Sequence, residues 1–298
     1  MKNREVVVVV HDAGGAEVIG AYICKNQKRG SFVSYGSGPA KKVFARLDLP
    51  LQYVGESAQE LAKVMKRHGD ASFALIAAPG WMSATEANAI LEAKKAQIKT
   101  LVYMDSWVDE KKRFGYPKKD WKKSLPDEFW AGDTYEDARL KKTFPHIPVS
   151  FVANQYFKNE IERFRGLKKQ SGKPTKILFM SDVVPGSYVL LEHLIRKLNE
   201  SGKSELLIRF HPADDRKRYD VLIALAKKNV HIQKSRERDI VHDLVQARIV
   251  VGPETMALAI SALCKIPTIC VAPPRTKSLL PFPAIRRVSG AEEAIRLI

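Results

Sequence analysis

Three short stretches of the chain place ionisable or hydroxyl-bearing side chains where an apolar run gives way to glycine or proline. The first is Val10-His11-Asp12-Ala13-Gly14-Gly15-Ala16-Glu17. It leaves the run Val6 to Val10, which reads as a buried strand, turns through two glycines and opens a segment with helical spacing. Adjacent glycines let a backbone approach a ligand closely, and a helix N-terminus offers unpaired N–H groups and partial positive charge to an anion. The spacing is not the GxGxxG of dinucleotide-binding turns. Asp12 could cap the helix, or it could act as a general base on a substrate hydroxyl, with His11 beside it and Glu17 as a further carboxylate.

The second stretch is Leu207-Ile208-Arg209-Phe210-His211-Pro212, a strand end that delivers Arg209 and His211 before proline stops it. A guanidinium gives phosphate a fixed cationic fork, and an imidazole can donate to a phosphate oxygen or transfer a proton near neutral pH. The third is Ile249-Val250-Val251-Gly252-Pro253-Glu254-Thr255, which puts Glu254 and Thr255 in the first turn of the next helix. There they either cap free N–H groups or reach a ligand's hydroxyls. Met180-Ser181-Asp182-Val183-Val184-Pro185-Gly186-Ser187 makes a similar passage, and its Ser181 could join a phosphate cradle.

A fourth segment begins at Asp105-Ser106-Trp107-Val108. Asp105 ends an apolar run and is a candidate second carboxylate or a positioner of acceptor hydroxyls. Lys111 to Lys123 follows, seven basic residues interleaved with Phe114, Tyr116 and Trp121. Such a segment could stack on single-stranded nucleic acid, seat the protein on anionic lipid, or be a solvated loop.

The elements that must position these residues alternate in type. Apolar runs predict strands at 6–10, 32–35, 73–77, 100–104, 127–130 and 149–152, and helical spacing falls at 15–27, 40–47, 57–68 and 83–97. A basic stretch punctuated by Gly166, Gly172 and Pro174 reads as a linker. Beyond it, strands are expected at 177–180, 206–210, 230–233, 249–251 and 268–271, and helices at 186–200, 215–227, 238–246 and 254–264. Such alternation builds parallel sheets covered by helices. The expected fold is α/β, with two Rossmann-like halves, 1–165 and 175–298, whose strand C-termini face one cleft.

Composition narrows the class of protein. At 298 residues with 45% hydrophobic and 28% charged side chains, the chain is an ordinary globular one with room for two domains. No apolar run reaches the ~18 residues of a membrane span, and no signal-peptide pattern is visible. Three cysteines without ligand spacing indicate neither a disulfide framework nor a metal site and point to the cytoplasm. A net charge of +17 suits a phosphate-bearing substrate, an anionic membrane surface or nucleic acid, although no nucleic-acid-binding motif is present and no specific nucleic acid is expected.

With these residues in view, a resemblance can be stated. The Gly-rich turn after a buried strand, the RFHP strand end and the segment GPETMALAISALCKIPTICV together resemble the GT-B glycosyltransferases and related nucleotide-sugar epimerases. HDAGGAE, PGWMSATEANAILEAKKAQIKTLVYMDSWV and LPDEFWAGD look like polysaccharide-biosynthesis proteins of bacterial surface-glycan clusters. The resemblance implies a nucleotide-sugar donor held by the C-terminal half, with Glu254 on a hydroxyl pair and Thr255 and His211 at the phosphates. It places Asp12 in the acceptor half.

The expectation is therefore a metal-independent glycosyltransferase, without a cofactor, that acts on a glycan or lipid-linked acceptor, with Asp12 as base and Arg209 and His211 on the phosphates. His11, Gly14, Gly15, Glu17, Asp105, Ser181, Gly252, Glu254 and Thr255 would complete the site. Epimerisation or hydrolysis of the nucleotide sugar is the competing enzymatic reading, with Asp12, Glu17 and Asp105 as its carboxylates. A basic nucleic-acid-binding protein is the competing non-enzymatic one.

Overall fold

A computed structural model describes residues 5–68, 72–80, 83–107, 109–169, 172–183, 185–211, 214–236, 239–272 and 280–298. Among residues quoted above, Trp81, Met82, Val108, Val184 and Pro212 lie outside the described residues. The chain divides into two compact units, one ending at Tyr156 and the other beginning at Phe157.

The strands of the first unit are β1 (Glu5–Val10), β2 (Ser31–Gly36), β3 (Gln52–Tyr53), β4 (Ser72–Ala77), β5 (Lys99–Tyr103), β6 (Glu128–Ala131) and β7 (Val149–Phe151). Its helices are α1 (Ala13–Asn26), α2 (Ala40–Arg46), α3 (Ala58–His68), α4 (Thr85–Lys95) and α5 (Thr134–Thr143). The strands form one parallel sheet in the order β3-β2-β1-β4-β5-β6-β7. Strand β1 lies near its middle, which is why an unbroken valine run is tolerated: both of its faces are covered. Val8 and Val10 pack with Ile19, Ile23, Val43 and Phe44 of α1 and α2. Val7 and Val9 pack on the other side with Leu61, Met65, Ala89 and Ile90 of α3 and α4.

Helix α6 (Gln155–Lys168) carries the chain into the second unit. There the strands are β8 (Lys176–Met180), β9 (Ser204–Arg209), β10 (Val230–Lys234), β11 (Ala247–Gly252), β12 (Thr268–Val271) and β13 (Ile285–Val288). The helices are α7 (Pro185–Leu198), α8 (Asp220–Ile223), α9 (Ile240–Leu244), α10 (Met256–Leu263) and α11 (Ala291–Ile295). Again the sheet is parallel, in the order β10-β9-β8-β11-β12-β13. Both units are thus doubly wound α/β folds, as expected.

Several expected elements shift. The helix expected over 215–227 is a 3-10 turn at Arg216–Tyr219 followed by the single turn α8. Tyr219 and Leu222 are buried there, and Ile223, Leu225 and Ala226 pack partly buried against the same core. The stretch read as a linker is helical as far as Lys168, because Phe157 and Phe164 share a buried face of α6. No helix of the described residues is long and apolar enough to cross a membrane.

Candidate functional site

In a doubly wound sheet, ligands bind outside the carboxyl ends of the strands where strand order reverses. In the first sheet that point lies between β1 and β4, and in the second between β8 and β11. The motifs singled out from sequence fall there: His11 and Asp12 follow β1, Ser181 follows β8, and Glu254 and Thr255 follow β11.

In the first unit Asp12 is the N-cap residue of α1, yet its side chain bonds none of the helix amides. The carboxylate instead pairs with His11, Oδ1 to Nδ1 at 2.8 Å, with 16% and 19% of the two side chains exposed. A carboxylate bonded at Nδ1 requires the hydrogen there, leaving the lone pair on Nε2. The imidazole lies over Gly38, whose φ is +56°; a Cβ there would sit 2.5 Å from Nε2. Gly80 plays the same part for Asp12, since a Cβ on it would fall on the carboxylate. Two glycines on neighbouring segments therefore make room for the pair.

Gly14 and Gly15 lie inside α1 rather than in a turn before it. A Cβ on Gly15 would stand 2.7 Å from the Ala78 carbonyl oxygen. Its lack of a side chain thus serves helix-to-strand packing, which corrects the expectation of ligand approach at this position. Glu17 is engaged with Arg46 of α2.

Asp105 forms a buried ion pair with Arg113 at 2.5 Å, and the same guanidinium nitrogen donates to the Pro79 carbonyl at 2.6 Å. The basic segment therefore contributes to this end of the sheet. Phe114 lies in the core and Trp121 packs against it, so of the three interleaved aromatics Tyr116 is the one left exposed. That corrects the picture of a stacking platform; Lys118, Lys119, Lys122 and Lys123 remain exposed.

Three carboxylates that sequence reasoning missed join this end of the first sheet. Glu86, in the first turn of α4, is wholly buried, and its Oε1 accepts the His11 backbone N–H at 2.6 Å. Burial, followed by the nearby charges of Asp12 and Asp105, pushes its carboxyl up to about 8. Glu136 is buried too, and burial and Asp133 hold its carboxyl well above the usual range. Asp133 caps α5 through the Glu136 N–H at 2.8 Å and accepts from the Trp107 indole at 2.8 Å. Both Glu86 and Glu136 look like ordinary helix-start glutamates in sequence; only the depth of the sheet around them sets them apart.

In the second unit the Ser181 hydroxyl accepts the His211 backbone N–H at 2.9 Å and donates to Asp214 at 3.1 Å. Asp214 also accepts from the Tyr219 hydroxyl at 2.6 Å and pairs with Arg218 at 2.8 Å. Ser181 and His211 are thereby fixed together at the ends of β8 and β9. Arg209 pairs at 2.7 Å with Asp243, which is 1% exposed and also accepts from Ser235. The sequence contained a trace of this in the acids that follow His211, at Asp214 and Asp215.

Helix α10 begins two residues later than expected: Thr255 is its N-cap, with no side-chain cap bond, and Glu254 precedes it and pairs with Arg287 at 3.1 Å. A Cβ on Gly252 would lie 2.6 Å from the Met180 carbonyl oxygen, so this glycine lets β11 and β8 come close together. The cysteines are free, and burial pushes the Cys264 and Cys270 thiols up to about 12.

No family model matches the chain, and no curated protein matches it in sequence. Solved structures match it in fold. Staphylococcus aureus MnaA, in a co-structure with UDP, aligns with a TM-score of 0.71 at 10% identity over 99% of this chain and 88% of the other. A UDP-GlcNAc 2-epimerase from Neisseria meningitidis, bound to UDP-GlcNAc, aligns with a TM-score of 0.65 at 14% identity, over 98% and 91%. MurG from Acinetobacter baumannii aligns with a TM-score of 0.60 at 13% identity, over 98% and 89%. At these identities the likeness is one of fold: the two Rossmann-like halves match those of GT-B-type UDP-sugar enzymes.

Proposed function

We propose that the protein is a glycosyltransferase of GT-B type that moves a sugar from a nucleotide-sugar donor to a hydroxyl of a glycan or lipid-linked acceptor. The observation that carries the reading is the His11–Asp12 pair at the first sheet's switch point, held at 2.8 Å and partly exposed. His11 Nε2 takes the proton of the acceptor hydroxyl while Asp12 keeps the ring in that tautomer and stabilises the imidazolium that forms. The acceptor oxygen bonds to the anomeric carbon, and the bond from that carbon to the phosphate oxygen breaks, its electron pair leaving with the nucleoside diphosphate. Asp12, expected from sequence to be the base itself, becomes the partner that orients it.

The nucleotide belongs in this reading to the second unit. Ser181, His211 and Thr255 stand at the ends of its central strands, where helix N-termini and polar side chains favour phosphate. Glu254 is assigned to the ribose hydroxyls and Arg209 to charge neutralisation near the diphosphate. UDP is the first nucleotide to try, because UDP and UDP-GlcNAc accompany the fold's matches.

A second reading, epimerisation or hydrolysis of the nucleotide sugar, is favoured by the carboxylates Asp12, Glu86 and Asp105, which interact electrostatically. Groups whose environments push their ionisation apart can divide acid and base roles. One assay separates the two: UDP-GlcNAc is incubated with and without acceptor glycans, and products are followed by NMR. UDP release that depends on acceptor supports transfer. Acceptor-independent change at C2 or at the anomeric bond overturns it in favour of the second reading, and no binding of UDP, CMP, GDP or ADP in a thermal-shift titration removes both.

A further inference from the structure

We infer that Glu86, as a neutral carboxylic acid, is a positioning residue that locks the β1–α1 junction and so fixes the His11–Asp12 pair. The assignment of a role to that pair rests on the function proposed above, but the lock itself does not. Glu86 reaches His11 from another element: it sits in the first turn of α4, 75 residues along the chain, with its side chain wholly out of solvent. Its Oε1 takes the N–H of His11, and the His11 carbonyl is held in turn by the Ala40 N–H at 2.9 Å. Both peptide groups that flank His11 are therefore tied to neighbouring segments, which leaves the imidazole little freedom other than rotation about its own side-chain bonds.

The protonation state follows from what surrounds the other oxygen. Glu86 Oε2 is buried with no hydrogen-bond partner among the described residues. A buried oxygen without a partner costs in either form, but an ionised carboxylate there costs far more than the neutral acid, whose O–H is the group left unbonded at Oε2. The charges acting on it are Asp12 after β1 and Asp105 after β5, the latter paired with Arg113, while His11 acts through its backbone N–H. Helix α3 and the Trp121–Ser124 turn also pack on α4. Their Lys63, Lys66, Arg67, Lys122 and Lys123 are exposed, and His68 of α3 is held by Glu5 and Tyr35. No cation from those elements is thus turned in to hold Glu86 ionised, in keeping with a carboxyl pushed up to about 8 by burial.

The test compares Glu86→Gln with Glu86→Ala in the full chain. Glutamine reproduces the neutral acid, with a carbonyl oxygen for the His11 N–H; alanine removes it. Two measurements are read: exchange of the His11 amide hydrogen, and the NMR titration of the His11 ring from pH 6 to 9.5. The amide should stay within about threefold of the parent's protection in Glu86→Gln and lose tenfold or more in Glu86→Ala. In the parent the ring signal should bend near pH 8, as Glu86 ionises beside it, and that bend should vanish in Glu86→Gln. Equal loss of protection in both variants, or a ring titration unchanged by Glu86→Gln, would overturn the inference. Neither readout requires turnover, so a failure of the transferase reading leaves a distinguishable result.

Discussion

Asp12 occupies a helix N-cap and bonds none of the helix amides, so α1 lacks the ~0.5–2 kcal/mol that a capping aspartate contributes. Asp133 and Asp239, by contrast, cap their helices. A residue diverted from the local bond its position favours is a sign of another demand on it, here His11 Nδ1. Asp12→Asn keeps the size of the side chain but lets its amide donate to Nδ1, which shifts the hydrogen to Nε2 and removes the base. Transfer should fall ~100-fold or more, while the UDP thermal shift stays as in the parent; undiminished turnover would remove the pair from the mechanism.

Glu86 carries a prediction for stability at the same scale. Its carboxyl is raised from 4.5 to about 8 in the folded chain. Between those values the folded state keeps a proton that the unfolded state releases, so the contribution is full below about 4.5 and is lost as pH rises towards 8. Glu86→Gln has no proton to lose. Its urea midpoint relative to the parent's should therefore climb steadily from pH 5 to pH 8 and level off above, and a difference independent of pH would show that Glu86 is ionised in the fold.

At the scale of elements, strand positions were legible because parallel central strands are continuous apolar runs: Val6 to Val10, Leu206 to Ile208 and Ile249 to Val251 could scarcely be anything else. Of the four edge strands, β7 and β10 were legible and β3 and β13 were not. Strand β13 is Ile285-Arg286-Arg287-Val288, where two arginines break the apolar signal at the sheet's edge, and β3 is two exposed residues. The switch-point motifs could be found by residue type, whereas Glu86, Glu136 and Asp214 could not, because burial and long-range partners distinguish them from surface acids. Gly15 shows how one residue type hides two reasons. Gly15→Ala drives a methyl into the Ala78 carbonyl and should cost ~1–3 kcal/mol in urea unfolding. Gly166→Ala lies on the exposed face of α6 with nothing within 4 Å and should instead gain ~0.5–1 kcal/mol; equal and opposite results would reverse the packing argument for α1.

For the whole molecule the governing quantity is a net charge of +17, which draws any polyanion and so confuses binding experiments at low salt. The described structure supplies a way to separate general attraction from a built site. Lys118, Lys119, Lys122 and Lys123 are exposed and can meet a polyanion without ordering, and contacts of this kind release counterions and weaken steeply as salt rises. Ser181 and His211 are instead pinned by the Asp214 network, and a nucleotide held there would owe much of its affinity to hydrogen bonds that salt screens little. Raising salt from 50 to 200 mM should therefore weaken a single-stranded oligonucleotide that engages about six phosphates by roughly 10^2 to 10^3-fold, while UDP affinity changes by less than about tenfold. Replacing the four lysines by glutamine should flatten the oligonucleotide's salt slope and leave UDP binding alone. A UDP affinity that collapses with salt in parallel with the oligonucleotide's would mean that the nucleotide is held by surface charge, and the assignment of Ser181, His211 and Thr255 to its phosphates would fall.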